Sequence, residues 1–519
     1  MKQKMAKKLL CIAVAGMMFP MAAQAMDTDL QLKVDKLTQE VNDLKATVQR
    51  VQDKSLSKWL SIGGSYQFRM DSLKGETVEY ANAMGVQAYL GTLGLIAPPT
   101  PVQMGAAFAA ANVPAYKPKN ETMYTNKFAL DLHAKATQDV TVNVKLGMYK
   151  VFGSQSSDAV TSDAYFADRT GIFDGTLTHV PSTSYLNTDR AYATWSNIAE
   201  QPVWFSVGRR PATDGAPTNL KSNSARPGNG GTPALLVNYA FDGMTLGYAP
   251  DIEVLPGFYT KVCYGRGFDS GYKTPMNSVK DTDMLGVAVI PVDTDPLRVW
   301  LQWNRGFNIF DFPVMNNTAF GDTAPSTNLG SIDWYGLGGM STIKNVGPGD
   351  LNFFVDGGVS ITHPNTNTAM AGTTPLGLMT GTFNGGPEGD KSKTGYAGFV
   401  GIRYDLPSKT KLGFEFNHGS KNWITFSPAA DDMWTSKVGT RGNVFEPYII
   451  QELGLKPISS YFSKAFVKVG YQYYDFEYTG SNNWVGAPVK ISDISSSTML
   501  MTTPVKSAQD IYATFEVHF

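Results

Sequence analysis

Apolar and polar residues alternate with a period of two over much of the chain that follows Trp59. In the first such segment Tyr66 and Phe68 share one face, whereas Arg69 and Asp71 lie on the other. A period of two is typical of a β-strand that has one apolar and one polar face. Residues 59–73 are therefore predicted to form the first strand of a sheet.

The same alternation recurs many times, and the connections between the repeats are of two lengths. Residues 127–135 and 140–148 are joined by a few residues around Gln138, which predicts a hairpin. Further hairpins are predicted at residues 241–243, 292–296, 344–349 and 407–409. Long connections rich in Gly, Pro, Asn, Ser and Thr lie at residues 74–123, 153–184, 211–232, 306–330, 362–393 and 419–443. Short turns at one end and long loops at the other are typical of an outer-membrane barrel.

This recurrence predicts an all-β fold, a transmembrane antiparallel outer-membrane β-barrel that occupies residues 59–519. The count of strands is about 16, with about 18 as the next choice, because bacterial barrels close on even numbers. Two regions leave the count open. Residues 233–268 yield one strand too many or too few, and residues 444–453, which contain Glu446 and Pro447, fit either a strand or a loop helix.

The last residues of the chain carry the strongest local alternation. Apolar side chains fill every second position up to the C-terminus, at Ile511, Ala513, Phe515, Val517 and Phe519. A closed barrel pairs its last strand with its first. The pattern also resembles the C-terminal signature by which bacterial outer-membrane proteins are recognised by the barrel assembly machinery. We therefore expect Phe515, Val517 and Phe519 to form an assembly signal.

A different period governs residues 27–53. Apolar residues follow one another at alternating steps of four and three, at Leu30, Val34, Leu37, Val41, Leu44, Val48 and Val51. This heptad pattern predicts a coiled coil, and so a homo-oligomer, because such a narrow seam has little to bury against except copies of itself. Valine at the a positions with leucine at d favours two strands, but three are also possible. The alternative is a single amphipathic helix lying on another surface.

The first residues predict export. Several lysines precede an apolar run over residues 9–20, which is followed by Ala23, Gln24 and Ala25. This order is that of a signal peptide over residues 1–25 with cleavage after Ala25. The apolar run is shorter than the ~20 residues that span a bilayer. We expect the barrel in the outer membrane of a Gram-negative bacterium, in contact with its lipid, and the N-terminal helix in the periplasm.

Composition removes several classes of protein. After Ala25 the only cysteine is Cys263, which excludes an internal disulfide and a c-type haem, since that attachment needs C-x-x-C-H. A formal net charge of −1 offers no basic surface for nucleic acid. With 12% aromatic and 17% charged residues the chain is too apolar for disorder, although no stretch after the signal is long and apolar enough for a spanning helix.

Motifs for enzymatic chemistry are absent from the sequence. It has no G-x-S-x-G for a serine esterase and no H-E-x-x-H for zinc. The histidines show no ligand spacing, at His133, His179, His363, His418 and His518. We therefore predict no catalytic residue, no metal site and no cofactor.

The polar faces of the strands predict the wall of a lumen. Candidate pore-lining residues carry both signs of charge, at Arg69, Asp71, Lys127, Asp131, Lys145, Arg210, Arg226, Asp356, Arg403, Glu415 and Lys468. Mixed walls favour weak ion selectivity unless a loop folds inward. The best candidate for such a loop follows Arg210. There Arg209, Arg210, Lys221 and Arg226 outnumber Asp214, which would favour anions if the loop narrows the pore. The alternative is an exposed or salt-bridged loop.

Several segments together resemble a family of uncharacterised outer-membrane porins with an N-terminal coiled coil, found in anaerobic sulfur- and metal-respiring bacteria. These segments are residues 207–217, 231–236, 241–243, 470–474 and 478–481, together with Trp59 and the N-terminal helix. The resemblance implies a channel for passive diffusion of small hydrophilic solutes or ions. It also implies an alternative, a structural barrel that sheathes or anchors a multihaem cytochrome, and it supplies no catalytic residue.

Overall fold

The computed structural model describes residues 36–41, 43–45, 59–153, 173–182, 184–211, 214–224, 235–318, 321–371, 374–383, 391–428, 430–455 and 463–519. The predicted signal peptide lies outside the described residues. So do Arg226 and four residues of the predicted seam, Leu30, Val34, Val48 and Val51. The chain divides into two compact units, Met1–Ser61 and Ile62–Phe519.

In the first unit, residues 36–41 and 43–45 are helical. They contain three of the predicted seam residues, and all three are exposed, Leu37 by 59%, Val41 by 48% and Leu44 by 68%. An apolar stripe that is open to solvent in a single chain is what a coiled-coil seam would present before association. Self-association through this helix stays a prediction.

Strands are the main regular structure of the second unit. In chain order they are β1 (Leu60–Thr77), β2 (Tyr80–Asn82), β3 (Asn112–Val113), β4 (Lys119–Lys135), β5 (Val140–Val151), β6 (Asn187–Trp195), β7 (Val203–Arg210), β8 (Phe241–Tyr248), β9 (Tyr259–Phe268), β10 (Thr282–Asp293), β11 (Leu297–Phe310), β12 (Met315–Thr318), β13 (Gly321–Thr323), β14 (Asn328–Val346), β15 (Gly349–Pro364), β16 (Ala369–Ala371), β17 (Thr374–Leu376), β18 (Thr394–Asp405), β19 (Thr410–Gly419), β20 (Gly442–Glu452), β21 (Lys464–Phe476), β22 (Met499–Leu500) and β23 (Val505–His518). Two helices, α1 (Ala83–Thr92) and α2 (Pro101–Ala110), lie in the connection between β1 and β4. Among the described residues, no helix is long and apolar enough to cross a membrane.

Sixteen of these strands form one closed antiparallel ring, which confirms the predicted fold. Around the ring the order is β1-β23-β21-β20-β19-β18-β15-β14-β11-β10-β9-β8-β7-β6-β5-β4. The ring closes where the last strand pairs with the first, with Phe515 opposite Phe68. The remaining short strands pair among themselves in the long connections, as β12 with β13, β16 with β17, and β22, β2 and β3 together.

The alternation read from the sequence is the alternation between the two faces of this ring. On β1, Arg69 and Asp71 are 5% and 3% exposed on the inner face, while Met70 between them is 41% exposed on the outer face. Exposed apolar residues recur on the outer faces of the other barrel strands, among them Leu246, Leu337, Val355, Ile449 and Val469. An apolar exterior around a polar interior is the arrangement of an outer-membrane β-barrel.

The structure resolves the two regions where the strand count was open. Residues 233–268 contain two barrel strands, β8 and β9, and residues 444–453 belong almost wholly to β20. The hairpin predicted at residues 241–243 is wrong, because these residues begin β8. Gly243 serves close packing between strands and not a turn, since a Cβ there would lie 2.0 Å from the carbonyl oxygen of Tyr264 on β9.

The C-terminal residue closes the ring against β1. The backbone N–H of Gly64 donates to the carbonyl oxygen of Phe519 (2.9 Å), and the N–H of Phe519 donates to the carbonyl oxygen of Gly64 (3.0 Å). The ring of Phe519 also fills the space where a Cβ of residue 64 would sit, 2.7 Å from its Cζ. Phe519 therefore has a structural place in the barrel, while its recognition by assembly machinery stays a prediction.

The two ends of the barrel differ as expected. Tight turns at residues 136–139, 294–296, 347–348 and 406–409 lie at one end, which we call the turn end. The long connections leave from the other, the loop end. Much of the chain in these connections folds back into the barrel, and this is what creates the site described next.

Candidate functional site

Two long connections fold into the lumen and meet there. We call residues 211–240 the Arg210 loop and residues 420–441 the Lys437 loop. Val237 and Phe426 pair as an isolated parallel bridge. The N–H of Asn238 donates to the carbonyl oxygen of Phe426, and the N–H of Phe426 donates to that of Leu236, both at 2.9 Å. The two loops thus hold each other by backbone hydrogen bonds, like strands of a small sheet.

The Arg210 loop crosses the lumen from one wall to the opposite wall. It leaves the ring at β7, and β19 lies eight strands away in either direction around the sixteen. Arg403 on β18 donates through Nη1 to the carbonyl oxygen of Leu220 (2.6 Å). Lys411 on β19 donates through Nζ to Oδ1 of Asn223 (2.6 Å). Inner-face donors of the far wall therefore satisfy backbone and amide acceptors of the loop.

At its near end the loop is fixed by charge. Asp214 Oδ2 lies 2.5 Å from Nη2 of Arg190 on β6 and 3.4 Å from Nζ of Lys145 on β5. Burial by itself would raise the pKa of Asp214, but the cations of Lys145 and Arg190 outweigh it and hold that pKa well below its ordinary value. The carboxylate stays ionised, and the loop starts its crossing from a charged anchor.

A buried charge cluster lies where the two loops reach the far wall. Glu446 on β20 is fully buried, and its two carboxylate oxygens each lie 2.5 Å from a lysine Nζ, Lys221 of the Arg210 loop and Lys437 of the Lys437 loop. Lys437 also contacts Glu415 on β19. Tyr512 on β23 donates its hydroxyl to Glu446 at 2.8 Å. The carboxylate of Glu446 thus joins two loops and the strands β20 and β23, and Lys437 adds β19 through Glu415.

The two lysines of this cluster titrate differently. Burial opposes the charge of Lys437, but Glu415 and Glu446 outweigh it and raise its pKa well above the ordinary value. Burial lowers the pKa of Lys221 below its ordinary value, because Glu446 offsets that cost incompletely and Lys437 adds repulsion. Lys437 is therefore the more firmly charged of the two.

A third inward segment, residues 173–182, is tied to the Lys437 loop through His179. Its Nδ1 lies 3.1 Å from Oδ2 of Asp431, and its Nε2 lies 3.4 Å from Oδ1 of Asp189 on β6. Lys127 on β4 contacts the other oxygen of Asp431 at 2.5 Å. Burial would lower the pKa of His179, but Asp431 and Asp189 raise it to about 9. His179 is 5% exposed and carries a proton at neutral pH.

Towards the loop end the inward segments pack an aromatic core against the wall. Phe173 and Trp484 have ring centroids 5.8 Å apart, and Trp484 Nε1 donates to the carbonyl oxygen of Phe310 (2.6 Å). Trp334 on β14 donates to the carbonyl oxygen of Ile424 (2.8 Å), and Trp423 to that of Val438 (2.7 Å). The loops are thus packed as a core, and they occupy much of the space that an open barrel would leave to water.

The described candidates for pore-lining residues all lie on the inner face, but most are covered by the loops. Arg69 contacts Asp71 (2.6 Å) and Asp510 (2.7 Å), and Lys468 contacts Glu516 (2.8 Å), all deeply buried. The other pairs are Lys127 with Asp431, Lys145 with Asp214, Arg403 with Asp405 and Glu415 with Lys437. Asp131 is exposed on the inner face. Asp356 is 1% exposed and accepts from Trp300 Nε1 at 3.2 Å, so it lies in the packed core.

Two of the described cations that give the region after Arg210 its net positive charge in the sequence are paired with carboxylates. Arg209 contacts Asp174 (2.6 Å) and Asp242 (3.6 Å), and Lys221 contacts Glu446. These partners lie outside the loop, as the alternative of a salt-bridged loop expects. Arg210 differs, because no described carboxylate forms a salt bridge with it.

Comparison with known proteins places the chain in one family. Residues 117–519 match the model of a family described as Protein of unknown function (DUF3373). No curated protein matches the chain. Of the solved structures, it is similar to a high-pH structure of Pseudomonas putida OprB, with 10% identity over 90% of this chain and 96% of that chain and a TM-score of 0.43.

Two more solved structures have comparable scores. An anion-selective porin from Comamonas acidovorans has 10% identity over 89% of this chain and 99% of that chain, with a TM-score of 0.41. In-vitro folded OmpT, an outer membrane protein of Vibrio cholerae, has 12% identity over 89% and 98%, with a TM-score of 0.39. At these scores the likenesses say nothing about what this barrel admits.

Proposed function

We propose a function on the basis of the geometry of the lumen. The chain belongs to the DUF3373 family, and the description of that family names no activity. The protein is a porin-like outer-membrane channel for passive diffusion of small hydrophilic solutes or ions. Its lumen is narrowed by the Arg210 loop, so that it admits smaller solutes than an empty barrel of sixteen strands would.

The observation that carries this proposal is the charged contact between that loop and the far wall. Lys221 meets Glu446 by an ion pair, and Arg403 and Lys411 meet the loop by hydrogen bonds to Leu220 and Asn223. These contacts place hydrogen-bonding groups in the middle of the barrel, which purely apolar packing would not. A polar inner face, tied to the loop by polar contacts, suits hydrophilic passage.

Weak selectivity follows from the pairing of charges. Most inner-face cations named above lie beside carboxylates, so neither sign dominates the wall. Selective pores concentrate one sign of charge at their constriction. We therefore expect a modest preference for one sign at most, set by cations that lack a nearby carboxylate.

The test is single-channel conductance of the purified, folded protein in a planar bilayer. We expect discrete steps of small conductance and a reversal potential close to zero in a gradient of potassium chloride. Folded protein that inserts into the bilayer and gives no steps would refute the proposal. A large reversal potential would refute weak selectivity alone.

The alternative role, in which the barrel sheathes or anchors a multihaem cytochrome, stays a prediction. A cytochrome inside the barrel would have to displace both the Arg210 loop and the Lys437 loop from the core they form. Anchoring at the outside would need no such change. Co-purification of a haem protein from native membranes would support the alternative.

A further inference from the structure

One pocket of the lumen contains two cations and no carboxylate among its described lining residues. It lies between the inner faces of β7 to β11 and Val237 of the Arg210 loop. It holds about 550 Å³ of space not filled by protein atoms, part of it open to solvent. Arg210 on β7 and Lys261 on β9 both line it, and Lys261 is 4% exposed. This combination sets the pocket apart from the rest of the inner face.

Several other cations of the described lumen lie beside carboxylates. Lys437 is held between Glu415 and Glu446, and Arg69 between Asp71 and Asp510. By contrast, no described carboxylate lies within 4.0 Å of Arg210. Bringing a positive charge out of bulk water is costly unless an opposite charge or hydrogen-bond acceptors compensate it. The described part of the protein thus offers Arg210 no carboxylate, which leaves its charge available to an external anion.

The position of Arg210 is fixed by its neighbours without using all its donors. Nη1 donates to Oγ of Ser206, and the guanidinium lies 4.9 Å from the ring centroid of Tyr192 and 5.9 Å from that of Trp204. Its Nε is buried and has no hydrogen-bond partner. An arginine held by aromatic rings with a donor unused is preorganised for an oxyanion.

Two amides complete the lining on β11. Gln302 and Asn304 are each 7% exposed, and Oε1 of Gln302 and Nδ2 of Asn304 are buried without a partner. Asn304 lines the same space as Arg210 and Lys261, and its Nδ2 group carries N–H donors that no described group accepts. Buried polar atoms without partners are uncommon, because each costs about 1–3 kcal/mol. Donors from β7, β9 and β11 therefore surround one space.

We propose that this pocket binds a small tetrahedral oxyanion of charge two, of the sulfate or hydrogen phosphate class. The two positive charges match two negative ones, and the four oxygens of such an anion can accept from donors on three strands at once. The binding does not require that the barrel conduct, so a failure here and a failure of the channel proposal are separate results.

The test is calorimetric titration of sulfate into the folded full-length barrel in detergent, at constant ionic strength. Methanesulfonate, a tetrahedral anion of charge one, serves as the comparison. We expect saturable binding of sulfate and an affinity for methanesulfonate that is lower by roughly tenfold. This difference corresponds to about one charge-assisted hydrogen bond. Hydrogen phosphate, titrated in the same way, is expected to bind within about tenfold of sulfate. The proposal would be overturned if sulfate binding does not saturate, or if sulfate binds no better than methanesulfonate.

Substitutions test whether sulfate binds in this pocket. Lys261→Gln and Arg210→Gln are each expected to lower the affinity for sulfate by roughly tenfold or more. Lys421→Gln, at an exposed lysine of the Lys437 loop, is the matched control and should bind like the original protein. If folded Lys261→Gln and Arg210→Gln proteins bind sulfate unchanged, the anion sits elsewhere and the assignment is wrong.

Cys263 gives a readout that needs no substitution. It lines the same pocket, accepts from Oγ1 of Thr245 at 3.3 Å, and is the one cysteine after Ala25. A thiol reagent that carries a sulfonate should modify it several-fold faster than a cationic reagent of the same size, and sulfate should slow that reaction. Equal rates for the two reagents, unaffected by sulfate, would contradict a positively charged oxyanion site.

Discussion

Nζ of Lys221 and Oε1 of Glu446 lie 2.5 Å apart, although the two residues are joined to the barrel at nearly opposite walls. Lys221 belongs to a loop that leaves the ring at β7, and Glu446 faces inward from β20. Their ion pair is therefore the charged tie that holds the loop across the lumen.

Lys221→Met should loosen that tie. Removing one partner of a buried pair costs about 3–5 kcal/mol when a charge is left uncompensated. Here Glu446 keeps Lys437 and the hydroxyl of Tyr512, so we expect a smaller loss, about 1–3 kcal/mol. Urea unfolding followed by electrophoretic shift measures it, with Lys421→Met as the exposed control. A loss no greater than that of the control would show that the pair contributes nothing.

The raised pKa of His179 predicts that the stability of the segment 173–182 depends on pH. Its pKa in the folded protein is about 9, above the value of about 6.5 of an unfolded chain. The contribution of protonated His179 to the free energy of unfolding is therefore complete below about pH 6.5 and is lost as the pH rises through 9. This contribution is at most roughly 3 kcal/mol. Hydrogen exchange of residues 173–182, corrected for intrinsic rates, should accelerate between pH 7 and 10.

The control for this effect is His179→Gln, which should exchange fast at every pH and lose the dependence. His418→Gln, at a histidine whose Nδ1 contacts Asn443 (2.9 Å), should leave the dependence intact. An unchanged pH profile in His179→Gln would mean that another group controls the segment.

The faces of β5 can be tested at two adjacent positions. Val144 points to the lipid and Asn143 to the lumen, where Oδ1 of Asn143 lies 2.6 Å from Nδ1 of His133. Val144→Lys should cost roughly 2–4 kcal/mol near the bilayer midplane, whereas Asn143→Lys should be tolerated. Unfolding from lipid vesicles is the measurement. Equal stability of the two variants would contradict the assignment of faces.

These two positions also show how far a sequence can predict this fold. Alternation in β1 and β5 could be read directly, because each strand has one face in lipid and one in the lumen. Residues 444–453 were ambiguous, since a glutamate and a proline interrupt the apolar face; yet Glu446 points inward and is compensated by lysines of two loops. No local pattern reports a partner that arrives from another wall.

The same limit applied to the site. His179 and Asp431 are 252 residues apart, and neither loop that they join has a period that could be read. Asp356 could be placed on the inner face by alternation, but its burial beside Trp300 depends on loops whose paths are irregular. The pairing of charges in the Arg210 loop could not be read from its own sequence for the same reason, because its described partners lie outside it.

The N-terminal helix is predicted to make the oligomer. Leu37, Val41 and Leu44 are exposed in the described helix, and burying that stripe between copies would be favourable. Deletion of residues 27–53 should leave a folded barrel and abolish crosslinked oligomers in native membranes. Val41→Asp with Leu44→Asp should do the same, whereas changes at Gln39 and Ala46 should not. An unchanged oligomer in the deletion would mean that barrel walls hold the subunits together.

The central claim is that the Arg210 loop, by crossing the lumen, limits conduction. Arg210 and Phe241 are directly paired on β7 and β8, so a short Gly-Ser turn can replace residues 214–238 without straining the ring. The matched control replaces residues 271–278 of the β9–β10 connection, where Tyr272 and Met276 are more than nine-tenths exposed.

Single-channel conductance of the three proteins, measured in the same planar bilayer and salt, tests this claim most directly. We expect the protein without the crossing loop to conduct at least about twofold more than the original, because a wider lumen passes more ions, and the control to conduct like the original. Equal conductance in all three would contradict the claim that this loop forms the constriction.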